Sequence, residues 1–238
     1  SEIPMAQYIT AEADSGGHTD NRPSFTLLPT IQTLADTLQE QYGYTQQIRV
    51  GLGGGIAAPA SAAAAFAMGA AYIVTGTINQ ACMEAGTSDT VREMLAQAKQ
   101  ADIAMAPSAD MFEMGVHVQV LKRGTMFSMR AAKLYELYRG YRSIDDIPEA
   151  ERFRIEKQIF QATLEEAWES TKTFWNSRNP GEVTRAEADP QHKMSLIFRS
   201  YLGQASLWAN NGVPERNLDY QIWCGPAIGA FNEWTKDS

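Results

Sequence analysis

The first third of the chain alternates between two patterns. Short runs of apolar residues are separated by longer stretches in which apolar residues recur at helical spacing. The apolar runs at residues 6–13, 48–53 and 71–77 are typical of strands that are buried on both faces. Between them, residues 25–41 and 59–69 have the spacing and the end signals of helices. The order strand, helix, strand, helix, strand predicts parallel strands joined by crossover helices, and therefore an α/β fold.

The rest of the chain has a different pattern. Apolar residues at helical spacing predict helices over residues 88–101, 128–142, 150–176 and 191–210. The polar segment 177–191 is predicted to be a loop. The chain is therefore expected to be α/β at its start and helical towards its end.

Composition and charge exclude several classes of protein. The 238 residues are 44% hydrophobic and 20% charged, which is typical of a globular protein, and the net charge of −8 argues against nucleic-acid binding. No apolar run approaches the ~20 residues of a membrane span, and no signal peptide is visible, so we expect a cytoplasmic protein without a membrane segment.

The cysteines and two of the histidines indicate no further chemistry. Cys82 and Cys224 suit a reducing compartment, and we interpret both as packed small hydrophobic side chains. No cysteine and histidine occur together at zinc-ligand spacing, so no metal site is predicted. His117 and His192 are assigned structural roles.

Glycines follow two consecutive predicted strands. The stretch "GLGGGIAAPAS" at 51–61 runs from a strand into a helix, and "VTGT" at 74–77 ends the next strand. Backbone N–H groups at such strand ends, together with a helix N-terminus, favour a phosphate, as in the phosphate site of TIM barrels. Neither cluster fits a Walker A loop or the G-x-G-x-x-G fingerprint. The alternative is that these glycines only form turns.

His18 is the candidate for proton transfer. It follows Gly16 and Gly17 just beyond the first predicted strand, which is the catalytic side of a parallel α/β fold. Asp14 and Asp20 flank it and would either orient the imidazole or cap the loop. The alternative for His18 is a surface or helix-capping role.

These same residues carry a resemblance to a known family. "EADSGGH", "GLGGGIA" and "YIVTGT" resemble the flavin-binding motifs of the nitronate monooxygenase superfamily, formerly called 2-nitropropane dioxygenases. "TINQACMEAGTSD", "APSADMFEMGVHVQVLKRGTMF", "KLYELYRGY" and "LDYQIWCGPAIGAFNEW" are similar to one branch, the trans-acting enoyl reductases of polyunsaturated fatty acid and polyketide synthases. The resemblance extends over essentially the whole chain.

The resemblance implies an FMN-binding TIM (β/α)8 barrel followed by a helical region. Residues 1–125 would be the C-terminal part of the barrel, strands 6–8, and residues 126–238 would pack on it as helices. His18 would be the catalytic histidine. The flavin would be held by Gly16, Gly17, Gly54, Gly55, Val74, Thr75, Gly76 and Thr77, with Gly54, Gly55, Gly76 and Thr77 at its phosphate.

The implied activity is the reduction of 2-enoyl thioesters carried by an acyl carrier protein. NADPH would reduce FMN, and reduced FMN would deliver a hydride to the β-carbon. Two alternatives stay open: a nitronate monooxygenase-type flavoenzyme, and a non-catalytic helical docking or assembly subunit of the synthase.

The implied barrel lacks its first strands in this sequence. We expect another chain or a cleaved N-terminal piece to supply them, because an isolated three-stranded remnant would expose its sheet edges. An acyl carrier protein is a further expected partner, and a second copy of the chain is left open as another. The carrier could be steered by six basic residues within 122–142, although the alternative for these is a solvated helix face.

Overall fold

The computed structural model describes residues 3–236. The chain forms two compact units. Among the described residues, the first contains 3–104, 118–123 and 222–236, and the second contains 105–117 and 124–221. The predicted division at residue 125 stays a prediction.

A parallel sheet forms the centre of the first unit, as the alternating pattern predicts. Its strands have the order β1–β3–β4, and β1 and β4 both pair in parallel with β3. In chain order, the elements of this part are β1 (Tyr8–Glu12), β2 (Gly17–His18), α1 (Ser24–Tyr42), β3 (Arg49–Gly53), α2 (Pro59–Ala67) and β4 (Ile73–Val74).

The register of this sheet aligns the carboxyl ends of its strands. Glu12 pairs with Gly53, and Gly53 pairs with Val74. Small buried residues fill the space between sheet and helices, including Ala11 on β1 and Ala65 on α2. These small side chains let the crossover helices lie close to the strands. The parallel register brings the carboxyl ends of the three strands to one edge of the sheet.

Three strands were not predicted from the sequence. They are β2, β5 (Ile103–Pro107) and β6 (His117–Leu121), and together they form the second sheet in the order β2–β6–β5. Gly17 and His18 of β2 pair antiparallel with Gln119 and Val118 of β6. The first unit also contains α3 (Asp89–Ala96) and α9 (Ala227–Thr235).

The second unit is mainly helical, as predicted. Its helices are α4 (Phe127–Gly140), α5 (Glu149–Ile155), a π-helical turn (Glu156–Phe160), α6 (Leu164–Arg178), α7 (Pro180–Ala188) and α8 (Pro190–Asn211). The core between them is built from large apolar side chains, among them Phe127, Leu134, Met194 and Phe198, which are fully buried.

Two predictions in this unit are wrong. The single helix expected over 150–176 is broken, because Gln161 adopts a left-handed conformation with φ 56° and Thr163 starts a new helix. The Thr163 hydroxyl accepts a hydrogen bond from the Glu166 N–H (3.1 Å), and the Glu166 carboxylate accepts one from the Thr163 N–H (2.8 Å). This reciprocal cap is a helix-start signal that the apolar pattern alone does not show.

The segment 177–191 is also not a loop, since it contains α7. Proline occupies the first turn of α7 and again of α8, where its missing N–H costs no helical hydrogen bond. Asp189 caps α8, because its carboxylate accepts hydrogen bonds from the N–H groups of Gln191 (3.0 Å) and His192 (3.2 Å). Within residues 3–236, no helix combines the length and the apolarity that a bilayer crossing requires.

Candidate functional site

A cavity of about 430 Å³ opens at the carboxyl ends of β1, β3 and β4, and all the residues that line it belong to the first unit. This volume lies within the range of small-molecule sites. The lining comes from the three strand ends, from the loop after β1 and from the segment before α9: Thr10, Glu12, Asp14, Ser15, Gly16, Gly53, Gly54, Gly55, Ile56, Val74, Thr75, Gly76, Thr77, Gln80, Trp223, Gly225 and Ala227.

Most of the predicted flavin-site residues meet in this cavity. Seven of them line it, namely Gly16, Gly54, Gly55, Val74, Thr75, Gly76 and Thr77. Gly17 and His18 do not belong to the lining. The structure therefore brings the two glycine clusters together at one edge of the sheet, and their role in binding a flavin stays a prediction.

The glycine-rich end of the cavity exposes backbone. A Cβ at Gly54 would lie 2.6 Å from the Ala13 carbonyl oxygen, and φ at Gly54 is +87°, so only glycine fits there. A Cβ at Gly55 or Gly76 would instead have no atom within 4 Å. In the part of the chain that the structure describes, the N–H groups of Gly55 and Gly76 donate to no protein acceptor. Accessible, unpaired N–H donors are what an anion requires.

The N-terminus of α2 contributes less to this end than the sequence indicates. The Ser61 hydroxyl accepts hydrogen bonds from the N–H groups of Ala57 (2.9 Å) and Ala58 (3.0 Å). These two donors are therefore already used by the helix's own cap. What remains for an anion is the positive end of the helix dipole and the glycine backbone that precedes the helix.

Two threonines extend this end of the cavity. Thr77 is buried, and its hydroxyl oxygen accepts a hydrogen bond from the Gly225 N–H at 3.1 Å, which leaves the hydroxyl proton free to donate. The Thr75 hydroxyl donates to the Asn79 side-chain oxygen at 3.2 Å. Thr77 is thus the better placed of the two to donate a hydrogen bond into the cavity.

The loop between β1 and α1 is held by an amide–carboxylate network. Asp14 accepts hydrogen bonds from the side-chain amides of Asn21 and Gln119, both at 2.8 Å. Gln119 also donates to the Ser15 carbonyl at 2.7 Å. Asp14 therefore stabilises the loop, and these hydrogen bonds match the loop-capping role and not the orientation of the His18 imidazole.

The His18 ring contacts an aromatic residue. Its centroid lies 5.3 Å from that of Trp223, with the ring planes 83° apart. Trp223 lines the cavity, so His18 contacts a lining residue although it does not line the cavity itself. The expected catalytic role of His18 stays a prediction.

Sequence reasoning missed Trp223, Gln80 and Gly225 as parts of the site. The Gln80 side-chain amide donates to the Trp223 carbonyl at 2.6 Å, across 143 residues of sequence. Close approach of the segment around Gly225 to the β1 loop needs glycine on both sides, because a Cβ at Gly16 would lie 2.8 Å from the Cys224 backbone nitrogen. No local pattern indicates contacts between segments this distant in the sequence.

The described lining of the cavity is acidic and includes no basic side chain. Glu12 and Asp14 are the charged residues among its described lining, and the Glu12 carboxylate accepts a hydrogen bond from Ser15 at 2.9 Å. An anion would therefore have to be held by backbone donors at the glycine-rich end. Within residues 3–236, no group of three or more histidine, cysteine, aspartate or glutamate side chains is arranged to hold a metal ion.

The two cysteines differ. Cys224 is fully buried and burial raises the pKa of its thiol to about 12, so it is a packed, protonated side chain as expected. Cys82 is exposed, so its interpretation as a packed residue is wrong. It follows the short 3-10 helix Thr77–Ala81, which leads the chain out to the surface.

His192 has the structural role assigned to it. It lies in the helical unit, where its Nδ1 is 3.1 Å from the Glu113 carboxylate and its Nε2 is 2.8 Å from that of Glu182. Three of the six basic residues within 122–142 form ion pairs within the chain. Arg130 pairs with the buried Asp219, Lys133 lies 3.3 Å from Glu151, and Arg123 lies 3.8 Å from Asp102.

Comparisons with known proteins agree with the resemblance in part. The chain is 56% identical over 238 residues to one of the polyunsaturated fatty acid synthase proteins of Thraustochytrium sp., and the match covers 98% of this chain and 16% of that protein. It is 45% identical over 236 residues to the polyketide biosynthesis protein PksE of Bacillus subtilis, and this match covers 99% of this chain and 30% of that protein. The relationship to proteins of these two kinds of synthase is confirmed.

The chain is similar over its whole length to a solved structure. The enoyl reductase domain of MlnA, from the macrolactin biosynthesis cluster of Bacillus amyloliquefaciens, matches with a TM-score of 0.93 and 41% identity, over 100% of this chain and 53% of that one. The α/β, helix-rich fold is thereby confirmed. The chain spans about half of that domain and less than a third of the two curated relatives named above.

The helical unit has a similarity of its own. Residues 141–220 match the family model of the inserted helical domain of [acyl-carrier-protein] S-malonyltransferase. This match lies within the second unit and accounts for about a third of the chain.

Proposed function

We propose that this chain is part of an FMN-dependent enoyl reductase that serves a polyunsaturated fatty acid or polyketide synthase, with NADPH as the hydride source and a carrier-bound 2-enoyl thioester as substrate. The observation that carries this proposal is the cavity at the carboxyl ends of three parallel strands, lined by both glycine clusters. The whole-chain similarity to the enoyl reductase domain of MlnA supports the reaction type.

The residues present fit an FMN phosphate at the glycine-rich end. Gly55 and Gly76 present unpaired N–H groups with open space beside them, and Thr77 can add its hydroxyl proton. Backbone donors can hold a phosphate without a basic side chain. Val74 and Thr75 would line the same end, and Gly16 would let the backbone of the β1 loop approach the ligand.

The bound flavin would supply the hydride for the β-carbon of the enoyl thioester. The chain's own contribution would be to orient the ligand and to manage the proton that the α-carbon must receive. His18 is the residue we propose to supply or position this proton, since imidazole exchanges protons near neutral pH. Burial keeps the Cys224 thiol protonated, so we assign it no part in the chemistry.

The remaining strands of a barrel would come from further sequence or from another chain. Both edge strands of the parallel sheet, β1 and β4, lack a second neighbour within the described residues. Large apolar side chains on β1 and on α1 are exposed, with Tyr8 at 59% and Phe25 at 72%. Open strand edges with exposed apolar surface favour coverage by additional strands and helices.

We include an acyl carrier protein among the partners because of the helical unit. Its residues 141–220 match a helical domain from a transferase named for its action on the acyl carrier protein. The basic residues within 122–142 add less to this proposal than the sequence indicates, since Arg130 and Lys133 are paired with carboxylates.

The proposal is tested on the complete purified polypeptide. We expect a yellow protein whose flavin is reduced by NADPH and then reoxidised in stopped-flow by a crotonyl-carrier thioester. A colourless protein would favour the docking or assembly role. Reoxidation by oxygen with a nitronate, but not by the enoyl thioester, would favour the nitronate monooxygenase-type activity.

The role of His18 is tested by His18→Ala. We expect FMN to stay bound while turnover on the enoyl thioester falls by about 100-fold or more, in the range of lost acid–base catalysis. His117→Ala, which removes an exposed histidine that does not line the cavity, is the matched control and should change turnover little. Unchanged turnover in His18→Ala would remove His18 from the mechanism.

A further inference from the structure

Trp223 is the only aromatic side chain among the described residues that line the cavity. It is 41% exposed, although its neighbours Ile222 and Cys224 are buried. The rest of the lining consists mainly of glycine, small polar and acidic residues. A large aromatic surface left exposed at such a place indicates a contact for a ligand.

The backbone of Trp223 is fixed on two sides. It forms an antiparallel bridge with Val120 of β6, and its carbonyl accepts the hydrogen bond from Gln80 at 2.6 Å. Two residues later, the Gly225 N–H donates to the Thr77 hydroxyl at 3.1 Å. The segment that carries the tryptophan is thus tied directly to the strand end at which the phosphate is proposed to bind.

The indole ring is also held in place. A Cβ at Gly17 would lie 2.6 Å from the indole Cε3, so the ring lies against the bare backbone of β2. The imidazole of His18 meets the same ring edge to face. This explains the Gly-Gly-His sequence in a second way, because glycine at 17 makes room for the indole and His18 packs against it.

We propose that Trp223 forms the wall against which the planar ring system of the flavin packs, and that Gly17 and His18 position the indole for this contact. The inference rests on the proposed function. A preset aromatic face binds a planar ring at low entropic cost, and such contacts are favourable beyond the area they bury. The acyl chain of the substrate is the rival occupant of this wall.

The test compares two ligands on one set of variants of the complete polypeptide, after bound flavin has been removed. FMN and riboflavin share the ring system, and only FMN has the phosphate. In Trp223→Leu we expect the Kd values of FMN and riboflavin both to rise about tenfold, because the lost contact is to the ring. Trp223→Phe, which retains an aromatic face, should stay within about threefold of the wild type for both ligands.

Gly76→Val is the matched control, because it should weaken FMN and spare riboflavin. Unchanged Kd values in Trp223→Leu, or a raised Kd for FMN alone, would overturn the proposed contact between Trp223 and the ring system. Neither result would contradict the proposal that the wild type binds FMN. A wild-type protein that binds neither ligand would instead contradict the proposed function, on which the inference depends.

A second measurement keeps the inference testable if Trp223→Leu does not fold. The fluorescence of Trp223 is obtained as the difference between the wild type and Trp223→Phe, since the chain contains five tryptophans. We expect riboflavin to quench most of this difference signal. A signal that riboflavin leaves unchanged would overturn the proposal.

Discussion

Two polar sites in this chain, one in each unit, differ in how their groups are paired. In the helical unit, the Asp219 carboxylate is 1% exposed and binds Arg130, Arg216 (3.2 Å) and the Tyr201 hydroxyl (2.7 Å). At the cavity of the first unit, the backbone N–H groups of two described glycines, Gly55 and Gly76, have no protein acceptor within residues 3–236. Saturated polar groups stabilise a fold, whereas unpaired donors beside an open space are available to a ligand.

The Asp219 cluster extends beyond its own ion pairs. Arg216 also donates to the carbonyls of Ile159 (2.8 Å) and Phe160 (2.5 Å), at the end of the π-helical turn, where the chain leaves its helix. Burial and Asp219 both raise the pKa of the Tyr201 hydroxyl, so it stays protonated and can act as a donor. The cluster therefore joins the segment before α6 to α4 and α8.

Removal of this carboxylate gives the largest expected effect. Asp219→Ala leaves two partly buried guanidinium groups without their buried carboxylate partner, and breaking a buried pair costs up to about 3–5 kcal/mol. The free energy of unfolding, measured by urea denaturation followed by helicity, should fall by that amount.

The control for this variant is Asp145→Ala. The side chain of Asp145 is 94% exposed and lies 3.5 Å from Arg152, so its removal should cost less than about 1 kcal/mol. If the free energy of unfolding fell equally in the two variants, the buried, fully paired carboxylate of Asp219 would stabilise this unit no more than the exposed carboxylate of Asp145.

The glycines of the cavity give the next effect and separate binding from folding. Gly76→Val adds a side chain where no atom lies within 4 Å, so the thermal midpoint without ligand should stay near that of the wild type. The affinity for FMN should nevertheless fall at least about tenfold, because the side chain occupies the phosphate site. Isothermal titration and thermal denaturation measure the two quantities on the same samples.

Gly54→Val is the opposite case. Its Cβ would overlap the Ala13 carbonyl, at 2.6 Å, and its φ of +87° is strained for any side chain. We expect a lower thermal midpoint even without ligand. If Gly76→Val were the less stable of the two, the assignment of Gly54 to folding and Gly76 to binding would be wrong.

The sequence predicts the features of the fold and the cavity that depend on neighbouring residues, and it does not predict those that depend on distant segments. The parallel strands at 8–12 and 49–53 and the glycine-rich strand ends follow from local pattern, since apolar runs and glycine both act within a few residues. Trp223 does not, because its place in the cavity depends on hydrogen bonds from segments more than 100 residues away. The break at Gln161 was missed because an apolar stripe continues across it, whereas the cap at Thr163 starts a new helix.

The smallest expected effect concerns the pH response of the helical unit. Burial works to raise the pKa of Glu113, but the Ser195 hydroxyl, His192 and Arg199 outweigh it and leave this pKa below its ordinary value of 4.5. The unfolded chain therefore takes up a proton at Glu113 before the folded chain does. The stability that Glu113 contributes is present above pH 4.5 and is lost as the pH falls through its folded pKa.

Glu113→Gln should accordingly flatten the acid limb of the stability profile. Between about pH 6 and pH 3.5, we expect the wild type to lose more stability than the variant, by less than about 1 kcal/mol because Glu113 is only half-buried. Glu136→Gln, which removes an exposed carboxylate from α4, should follow the wild-type profile. A profile of Glu113→Gln that is as steep as the wild type would mean that the bonds from Ser195 and His192 do not lower the pKa of this carboxyl, and that the helical unit does not couple its polar groups as tightly as their geometry indicates.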